Sequence, residues 1–511
     1  MKQKAAAKRA AATQDNEEEQ TAKRVKVPQE LQQKANALLN DKTLDTKALK
    51  RIISQIQSSD EDAGELNVLE VIFKNLLKRN CVYSAEQLKP NPNAKCEALY
   101  NETWTLLLSR LAGADKEQAS MALKVCMQLI IAEAKFVHES EWPTARLRDV
   151  LGAFVKSETS PAVGLAAFGK YARCLDVLQL SYQLLPEVAP ARFVDQPTAA
   201  FNYLAIINTL DLGKTVLAAE QYHLGAGSEE QPSFTYERTR KFLNKTWKGI
   251  MRSSSGLDEK LHRQVLVVLL ERILPHLTNP ILLTDFLMDS LHQFDGPIAL
   301  LALQGIFTLM QQQNITYPDV YTKLYNMFYP RMFYNKYKAR LFYLADIFLT
   351  STHLPENLVA AFVKRLSRLA LKSPTEDAII MIRFVCNLLL RHTGLQRLIC
   401  ATPAASAEEV SDPYDETQAD PVKTNALSSS LWELALLQKH AVPEVANAAQ
   451  FVTKSLPTME FDLGPLLESK ESDLFDGEVK KQAKQFMLAY ERPTNLALPK
   501  DDIVTKYWNI L

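Results

Sequence analysis

A glycine-lysine-threonine run in the first half of the chain is its nearest approach to a nucleotide-binding motif. Residues 211–215 read D-L-G-K-T, like the end of a loop whose backbone cradles phosphates while its lysine contacts them. That motif requires another glycine five residues before Gly213, and Asn208 stands there. The preceding residues 203–208 are also more typical of a helix than of a buried strand. The run therefore predicts a helix end rather than a nucleotide site.

The histidines and cysteines show no spacing that binds a metal or activates a nucleophile. The sequence contains neither the His-Glu-x-x-His pattern of zinc hydrolases nor a Cys-x-x-Cys pair. It also lacks a Gly-x-Ser-x-Gly elbow, and the acid pair Glu408-Glu409 lies where no helix or strand would position it. Six scattered cysteines favour a reducing compartment and buried thiols. We therefore expect no catalysis, cofactor, metal or small-molecule substrate.

The densest chemistry in the chain is an aromatic and basic stretch at 317–348. Eleven of its 32 residues are Phe or Tyr, out of 38 in the whole chain of 511. Apolar spacings of three and four predict one helix that starts at Pro318 and stops before Pro330, and a second from about Phe333 to Leu349. Residues 317–372 contain nine basic and three acidic residues. This stretch is therefore a helical core, a binding surface, or both.

Two interaction hypotheses compete with a purely structural interpretation of this stretch. Basic side chains beside aromatic rings suit phosphate contact and base stacking in RNA. Aromatic and arginine side chains exposed together also anchor protein partners. The structural alternative is that the rings fill a helical interior while the basic residues are solvated, and a net charge of zero weighs against a dedicated RNA binder. The predicted RNA contacts are Arg331, Lys336, Lys338 and Arg340, within a wider basic set that adds Lys323, Lys364, Arg365 and Arg368.

An acidic segment follows the basic one. Residues 401–478 hold fifteen acidic and four basic residues, and the absence of a helical period near 402–427 predicts an acidic loop there. Short apolar helices come next, around a tryptophan. We predict that the aromatic helices, the loop and the tryptophan helix together form a surface for a protein partner, with basic residues at its rim. The predicted partner contacts are Tyr325, Tyr329, Tyr334, Asp412, Asp415 and Trp432.

The rest of the chain predicts an all-α protein. Amphipathic segments separated by short breaks indicate an irregular α-solenoid of HEAT-like antiparallel helix pairs, and the scarcity of glycine (15 residues) argues against a β-rich fold. We divide the chain into a disordered basic tail (1–27), an N-terminal helical-repeat region (28–277), a second helical domain (278–460) and an acidic, helical extension (461–511).

Two features bear on where the protein resides. Lys23, Arg24 and Lys26, followed by Pro28, resemble a short nuclear import signal; the alternative is a solvated charged tail with no such role. No run of 18 uncharged apolar residues occurs in the sequence, so we expect no membrane insertion.

Six blocks stand out in the second half: 301–310, 317–325, 348–355, 412–421, 429–440 and 473–478. They resemble the CCAAT-binding-factor/Mak21-type family of ribosome assembly factors. The resemblance implies that 278–460 is that family's helical domain, and that the protein is a non-catalytic scaffold in the nucleolus. The acidic block 412–421 favours the small-subunit branch of the family. That branch implies action with nucleolar protein 14 and other proteins of the small-subunit processome, with pre-rRNA contact, in 18S rRNA processing and in maturation and export of the 40S subunit.

Three alternatives remain open. Other members of the family serve the large subunit, so a 60S assembly factor is one. A helical-repeat protein that binds rRNA through its basic surface is another. An import or trafficking solenoid unrelated to ribosomes fits the helical repeats and the basic tail equally well, and only the family blocks speak against it.

Overall fold

The computed structural model consists of helices joined by turns and loops in the part of the chain that it describes. No β-strand occurs within the described residues, so the predicted all-α class is confirmed. The basic tail, with Lys23, Arg24 and Lys26, lies outside them. The described residues are 29–40, 45–58, 64–83, 94–113, 115–137, 144–158, 162–213, 222–223, 234–253, 256–313, 317–400, 411–486 and 507.

The chain divides into two compact units, Met1–Leu309 and Met310–Leu511. The domain boundary that the sequence predicts after residue 277 stays a prediction. The helices between residues 278 and 309 belong to the first unit. A Cβ atom on Gly305 would lie 3.0 Å from the Leu287 side chain and 3.1 Å from that of Leu270, so this glycine allows a close approach between helices on both sides of residue 277.

The first unit is a succession of helices that pack against their neighbours. Some bury a single apolar stripe: in Thr46–Ser58, for example, Leu49, Ile52, Ile53 and Ile56 are buried at spacings of three and four. Others, such as Lys116–Phe136, are buried on most sides. The α-helices of this unit are α1 (Gln29–Asn40), α2 (Thr46–Ser58), α3 (Glu65–Lys78), α4 (Ala94–Ala112), α5 (Lys116–Phe136), α6 (Thr144–Lys156), α7 (Ala162–Tyr171), α8 (Leu175–Val188), α9 (Pro197–Thr209), α10 (Tyr236–Ser253), α11 (Glu259–Val268), α12 (Thr284–Gln293) and α13 (Pro297–Gln313), in which the boundary falls.

The second unit is built around two buried helices. They are α16 (Glu356–Ala370) and α17 (Thr375–Arg391), which pack against each other and bury most of their residues. Both begin directly after a proline and carry acidic residues in the first turn, where the helix dipole favours negative charge. The other α-helices here are α14 (Pro318–Met327), α15 (Lys338–Phe348), α18 (Trp432–Leu437), α19 (Pro443–Ala448), α20 (Gly464–Glu468) and α21 (Glu471–Phe486).

Aromatic rings connect the first helices of the second unit. Phe328 lies edge-on to Phe342 and Phe362, with ring centroids 5.8 and 6.2 Å apart, and Phe342 reaches Phe384 of α17 at 6.3 Å. Of the eleven aromatic residues in 317–348, five are buried. Much of the aromatic stretch is therefore core, as the structural alternative held.

The second aromatic helix begins later than the sequence predicted. A 3-10 turn occupies Pro330–Tyr334, and the backbone at Asn335 is extended, so α15 starts at Lys338 rather than near Phe333. The buried side chains of Met332 and Phe333 continue the apolar spacing through the turn. That continuity explains why periodicity alone predicted an unbroken helix.

None of the helices in the described ranges combines the length and apolar character needed to cross a membrane.

Candidate functional site

The centre of the candidate site is a lysine buried in α16. Lys364 has no exposed side-chain surface. Its ammonium nitrogen lies 2.8 Å from Asp412 Oδ2 and 2.7 Å from Glu433 Oε1, and it donates a hydrogen bond to the Ser430 carbonyl oxygen at 2.6 Å. Because an isolated buried charge is costly, such a lysine requires paired acids. These contacts tie the acidic loop and α18 to α16.

Asp412, in the acidic loop, receives most of the polar contacts of the site. Its Oδ2 lies 2.7 Å from Arg368 Nη2 and accepts a hydrogen bond from Trp432 Nε1 at 2.9 Å. Its Oδ1 accepts from the Ser429 hydroxyl and from the Tyr414 backbone N–H. Burial opposes ionisation of this carboxyl, but the hydrogen bonds from Lys364, Ser429, Trp432 and Tyr414 hold its pKa well below the ordinary value. Asp412 is therefore ionised at neutral pH.

Glu433 is the second acid of the cluster and is fully buried. Its Oε1 lies 2.7 Å from both Lys364 Nζ and Arg368 Nε, in close ion pairs whose geometry falls short of hydrogen bonds. Burial raises the pKa of Glu433 above the ordinary value, against the lowering effect of Lys364. Lys364, Arg368, Asp412 and Glu433, which we call the Lys364 cluster, pair two cations with two acids.

Trp432 links the Lys364 cluster to solvent. The Arg368 guanidinium lies 4.7 Å from its ring centroid and the Lys364 ammonium 5.4 Å, while 39% of the residue remains exposed. Leu436, one turn further along α18, is 55% exposed. A groove of about 880 Å³ runs beside Trp432 and is also lined by Arg397, Cys400, Asp412, Pro413, Leu427 and Ser428–Ser430.

Tyr325 is one of the predicted partner contacts, and the structure buries it. Its hydroxyl lies 2.8 Å from the Tyr414 hydroxyl, and the Arg365 guanidinium is 4.4 Å from its ring centroid. One residue on, the Asn326 amide donates to the Ala419 carbonyl oxygen at 3.0 Å. A direct contact between Tyr325 and a partner does not fit this burial. Tyr325 instead helps to hold the acidic loop on the core.

The other predicted partner contacts are exposed but lie outside the Lys364 cluster. Tyr334 is 83% exposed in the 3-10 turn, and Tyr329 is 36% exposed, with its hydroxyl 3.4 Å from that of Tyr337. Asp415 accepts hydrogen bonds from the Thr417 hydroxyl and N–H, which lower its pKa and identify it as a turn-forming residue. The structure therefore brings Tyr325, Asp412 and Trp432 together around α16, without Tyr329, Tyr334 or Asp415.

The predicted RNA contacts likewise include both exposed residues and residues that are paired within the fold. Arg331, Lys336 and Arg340 are exposed. Lys338 instead lies 2.7 Å from Asp377 Oδ1 and 3.3 Å from Glu376 Oε1. In the wider basic set, Lys364 is buried, Arg368 belongs to the Lys364 cluster, and Arg365 donates to the Phe328 carbonyl oxygen at 2.7 Å. Acids and carbonyl oxygens of the second unit thus neutralise or bind much of the positive charge counted in 317–372.

Several site residues were not predicted from the sequence. Glu433, Ser429 and Tyr414 were missed, and the signal available for Glu433 was a single acid in an otherwise apolar helix, W-E-L-A-L-L. Tyr343, 62% exposed on α15, was also missed among its buried aromatic neighbours.

The D-L-G-K-T run has a structural role where it is described. Arg272 pairs with Asp211 and donates to Asn208 Oδ1 at 3.1 Å, so both polar side chains are used within the first unit. Lys214 and Thr215 lie outside the described residues. Among the described residues, no group of three or more His, Cys, Asp or Glu side chains is arranged to hold a metal ion.

The sequence of the chain is similar to those of known proteins that belong to one family. Residues 299–449 match the CBF/Mak21 family. The chain is 32% identical to nucleolar complex protein 4 homolog B of Xenopus laevis over 513 residues, which cover 94% of this chain and 96% of that protein. It is 33% identical to the Homo sapiens nucleolar complex protein 4 homolog over 385 residues (72% of this chain, 73% of that protein). It is 44% identical to the Gallus gallus homolog over 252 residues, or 49% of each. The family resemblance predicted from the sequence blocks is confirmed.

Proposed function

The chain belongs to the family of nucleolar complex protein 4 homologues, and from that premise we propose that it is a non-catalytic nucleolar scaffold in ribosome biogenesis. In finer terms, we propose that it acts in the small-subunit processome with nucleolar protein 14, in 18S rRNA processing and in maturation and export of the 40S subunit. The acidic block 412–421 supports this branch of the family. It forms the loop that Lys364 holds against α16.

The Lys364 cluster is the observation that carries the proposal. It lies within the matched segment 299–449 and fastens the described part of the acidic loop, residues 411–427, to the buried helix α16. A loop held by buried ion pairs loses little conformational freedom when a partner binds, and this lowers the entropic cost of binding. The arrangement suits a preformed protein-binding surface better than a catalytic site.

Trp432 and Leu436 are the proposed anchors of that surface. They are one turn apart on α18, so both side chains face the same way. Tryptophan and arginine are enriched among the residues that contribute most to protein interfaces, and Leu436 extends the apolar surface beside Trp432. Because the acids of the Lys364 cluster are already paired, we expect binding there to depend on apolar contact and to vary little with salt.

Affinity purification of the tagged full chain tests the branch assignment. We expect nucleolar protein 14 and 18S-type precursor rRNA to co-purify in preference to 28S-type precursors. Enrichment of 28S-type precursors with large-subunit factors would instead establish the 60S alternative. Recovery of transport factors without ribosomal precursors would support the trafficking alternative.

A pair of surface variants tests the partner surface. Leu436→Glu should lower the recovery of nucleolar protein 14 by at least tenfold, because a central apolar contact contributes roughly 1–2 kcal/mol or more to binding. Met459→Glu is the matched control, since Met459 is 79% exposed and lies outside both α18 and the groove. Equal recovery with both variants would reject α18 as the anchor.

The tail is tested separately. We propose that Lys23, Arg24 and Lys26 form a nuclear import signal. Replacing all three with Ala should shift a fluorescently tagged chain from the nucleus to the cytoplasm. An unchanged nuclear signal would mean that the chain enters by another route, such as with its partner.

A further inference from the structure

Helix α10 carries a row of basic side chains far along the chain from the Lys364 cluster. The intervals between them are three, four, three and four residues, which places all five on one side of the helix. All five are exposed. The row spans fifteen residues, or about 21 Å along the helix axis. We call it the basic stripe, and its members are Arg238, Lys241, Lys245, Lys248 and Arg252.

The stripe is not neutralised by the part of the chain that the structure describes. No member forms an ion pair with a described residue. The one acid of α10, Glu237, lies 3.9 Å from Arg240, which is not in the stripe. Arg240 donates instead to the carbonyl oxygens of His276 and Leu277, at 2.9 and 3.0 Å. Helix α10 thus carries one basic residue used for packing, Arg240, and five that face solvent.

The opposite side of α10 explains why the stripe is held rigidly. Thr239, Leu243, Thr246, Trp247 and Ile250 are buried and fix the rotation of the helix in the first unit. Like charges four residues apart, such as Lys241 with Lys245, destabilise a helix by roughly 0.2–0.5 kcal/mol per pair. Packing on the opposite side offsets this repulsion. The result is a preorganised line of positive charge with a spacing of about 5 Å.

We propose that the basic stripe binds the phosphate backbone of RNA. Three of its five residues are lysines, which are depleted at protein interfaces and serve as point charges for phosphate. The aromatic residues of the helix, Tyr236, Phe242 and Trp247, are half-buried or buried, so the stripe offers no exposed ring for base stacking. Contact is therefore with phosphates and is independent of base sequence.

The choice of RNA over other polyanions rests on the proposed function in ribosome biogenesis. The competing ligand is an acidic protein segment, which would also require apolar contact. Leu282, 75% exposed, lines a groove of about 290 Å³ together with Lys248 and Arg252 at the C-terminal end of the stripe. A protein ligand would use this groove, whereas a phosphate backbone would not. Substitution of Leu282 therefore separates the two ligands.

Titration of the purified full chain against a fluorescein-labelled single-stranded RNA of 20 nucleotides tests the proposal. Five phosphate contacts on a single strand predict a slope of log affinity against log salt of about −3.5, hence a loss of about 100-fold between 50 and 200 mM salt. The triple variant Lys241→Gln, Lys245→Gln, Lys248→Gln should reduce the slope by about 2 units. The corresponding Glu variant should bind still more weakly, by at least a further tenfold at 50 mM salt.

Two controls make the result specific. Lys74→Gln, Lys78→Gln and Lys95→Gln remove the same charge from exposed positions on α3 and α4, and should leave the salt slope unchanged. Leu282→Ser should leave RNA affinity unchanged as well. If the two triple Gln variants lost RNA affinity equally, the effect would come from net charge alone, and the proposal would be overturned. Unaltered RNA binding by the stripe variants, with loss of a co-purifying acidic protein in Leu282→Ser, would assign the stripe to a protein ligand.

Failure of this proposal can be told apart from failure of the proposed function. The stripe variants should still co-purify nucleolar protein 14, because none of their substitutions lies in the second unit. If they retain the partner and the RNA, the stripe proposal fails while the scaffold function stands. If the unmodified chain recovers neither nucleolar proteins nor precursor rRNA, the scaffold function itself fails.

Discussion

Helices α16 and α10 both carry clustered basic residues, yet one uses them inside the fold and the other exposes them. In α16, Lys364 and Arg368 meet Asp412 and Glu433, which lie at least 44 residues away along the chain. In α10, the five residues of the basic stripe have no ion-pair partner among the described residues. A count of basic residues in a window therefore does not identify a binding face. The pairing of each charge decides whether it is available.

The largest expected difference between the two helices concerns stability. Lys364→Met removes the cation that Glu433 and Asp412 share and leaves an unbalanced buried acid. We expect a loss of about 3–5 kcal/mol in the free energy of unfolding, measured by urea denaturation followed by circular dichroism. Lys245→Met, the same substitution in the basic stripe, should change stability by less than about 0.5 kcal/mol.

A second substitution shows whether charge causes the loss. Glu433→Gln added to Lys364→Met should recover part of the stability, because it removes the orphaned charge and keeps the shape of the side chain. If the double variant is no more stable than Lys364→Met alone, the loss arises from packing rather than from charge. In that case the electrostatic contrast between α16 and α10 would not hold.

The pH dependence of Asp412→Asn should be the next largest effect. At pH 7 the variant should be about 2 kcal/mol less stable, because several hydrogen bonds to a charged acceptor become neutral. The pKa of Asp412 is depressed in the folded state, so its stabilising contribution is complete above the unfolded-state pKa of about 3.9 and is lost as pH falls through the lower folded value.

The difference in unfolding free energy between wild type and Asp412→Asn should therefore shrink below about pH 4. Glu433 is present in both proteins, so the difference isolates Asp412. Asp415→Asn, which keeps an oxygen for the Thr417 hydrogen bonds, should show a smaller difference across the same range. A gap for Asp412→Asn that stays constant down to pH 2 would contradict the assigned pKa direction.

A smaller effect tests whether paired and exposed lysines also differ in their contribution to stability within the aromatic stretch. Lys338→Gln should cost roughly 1–2 kcal/mol, because Asp377 is buried and loses the cation 2.7 Å away. Lys336→Gln, two residues earlier and exposed, should lie within about 0.5 kcal/mol of wild type. Thermal unfolding of the two variants side by side measures the difference. Similar melting temperatures would place Lys338 in the same solvated class as Lys336.

The sequence predicted the helices well because their signals are local. The apolar stripe of α2 and the proline starts of α14 and α19 lie within a turn or two of the residues that they order. The candidate site, by contrast, depends on ion pairs between residues that are far apart in the chain. Lys364 and Glu433 come together through the packing of the loop and α18, which no periodicity encodes. The basic stripe could have been found by counting three-and-four spacings of charge rather than of apolar residues.

The smallest predicted effect is a gain in stability, whereas the larger ones are losses. Lys241→Gln, Lys245→Gln and Lys248→Gln relieve the repulsion between residues four apart, at 241–245 and 248–252. The triple variant should therefore gain roughly 0.4–1 kcal/mol of stability at 20 mM salt, with little change in helix propensity. At 0.5 M salt, screening should remove most of the gain. Differential scanning calorimetry at the two salt concentrations measures both values.

Arg240→Gln, on the same helix, provides the contrast for this prediction. It should destabilise the protein at both salt concentrations, because its hydrogen bonds to the carbonyl oxygens of His276 and Leu277 are short-range and little affected by salt. If the stripe variants also destabilised the protein at both concentrations, the stripe would be part of the packing, as the Lys364 cluster is. A gain that salt abolishes would instead mean that α10 keeps five repelling charges against its own stability, which is the condition expected of a surface that awaits a polyanion.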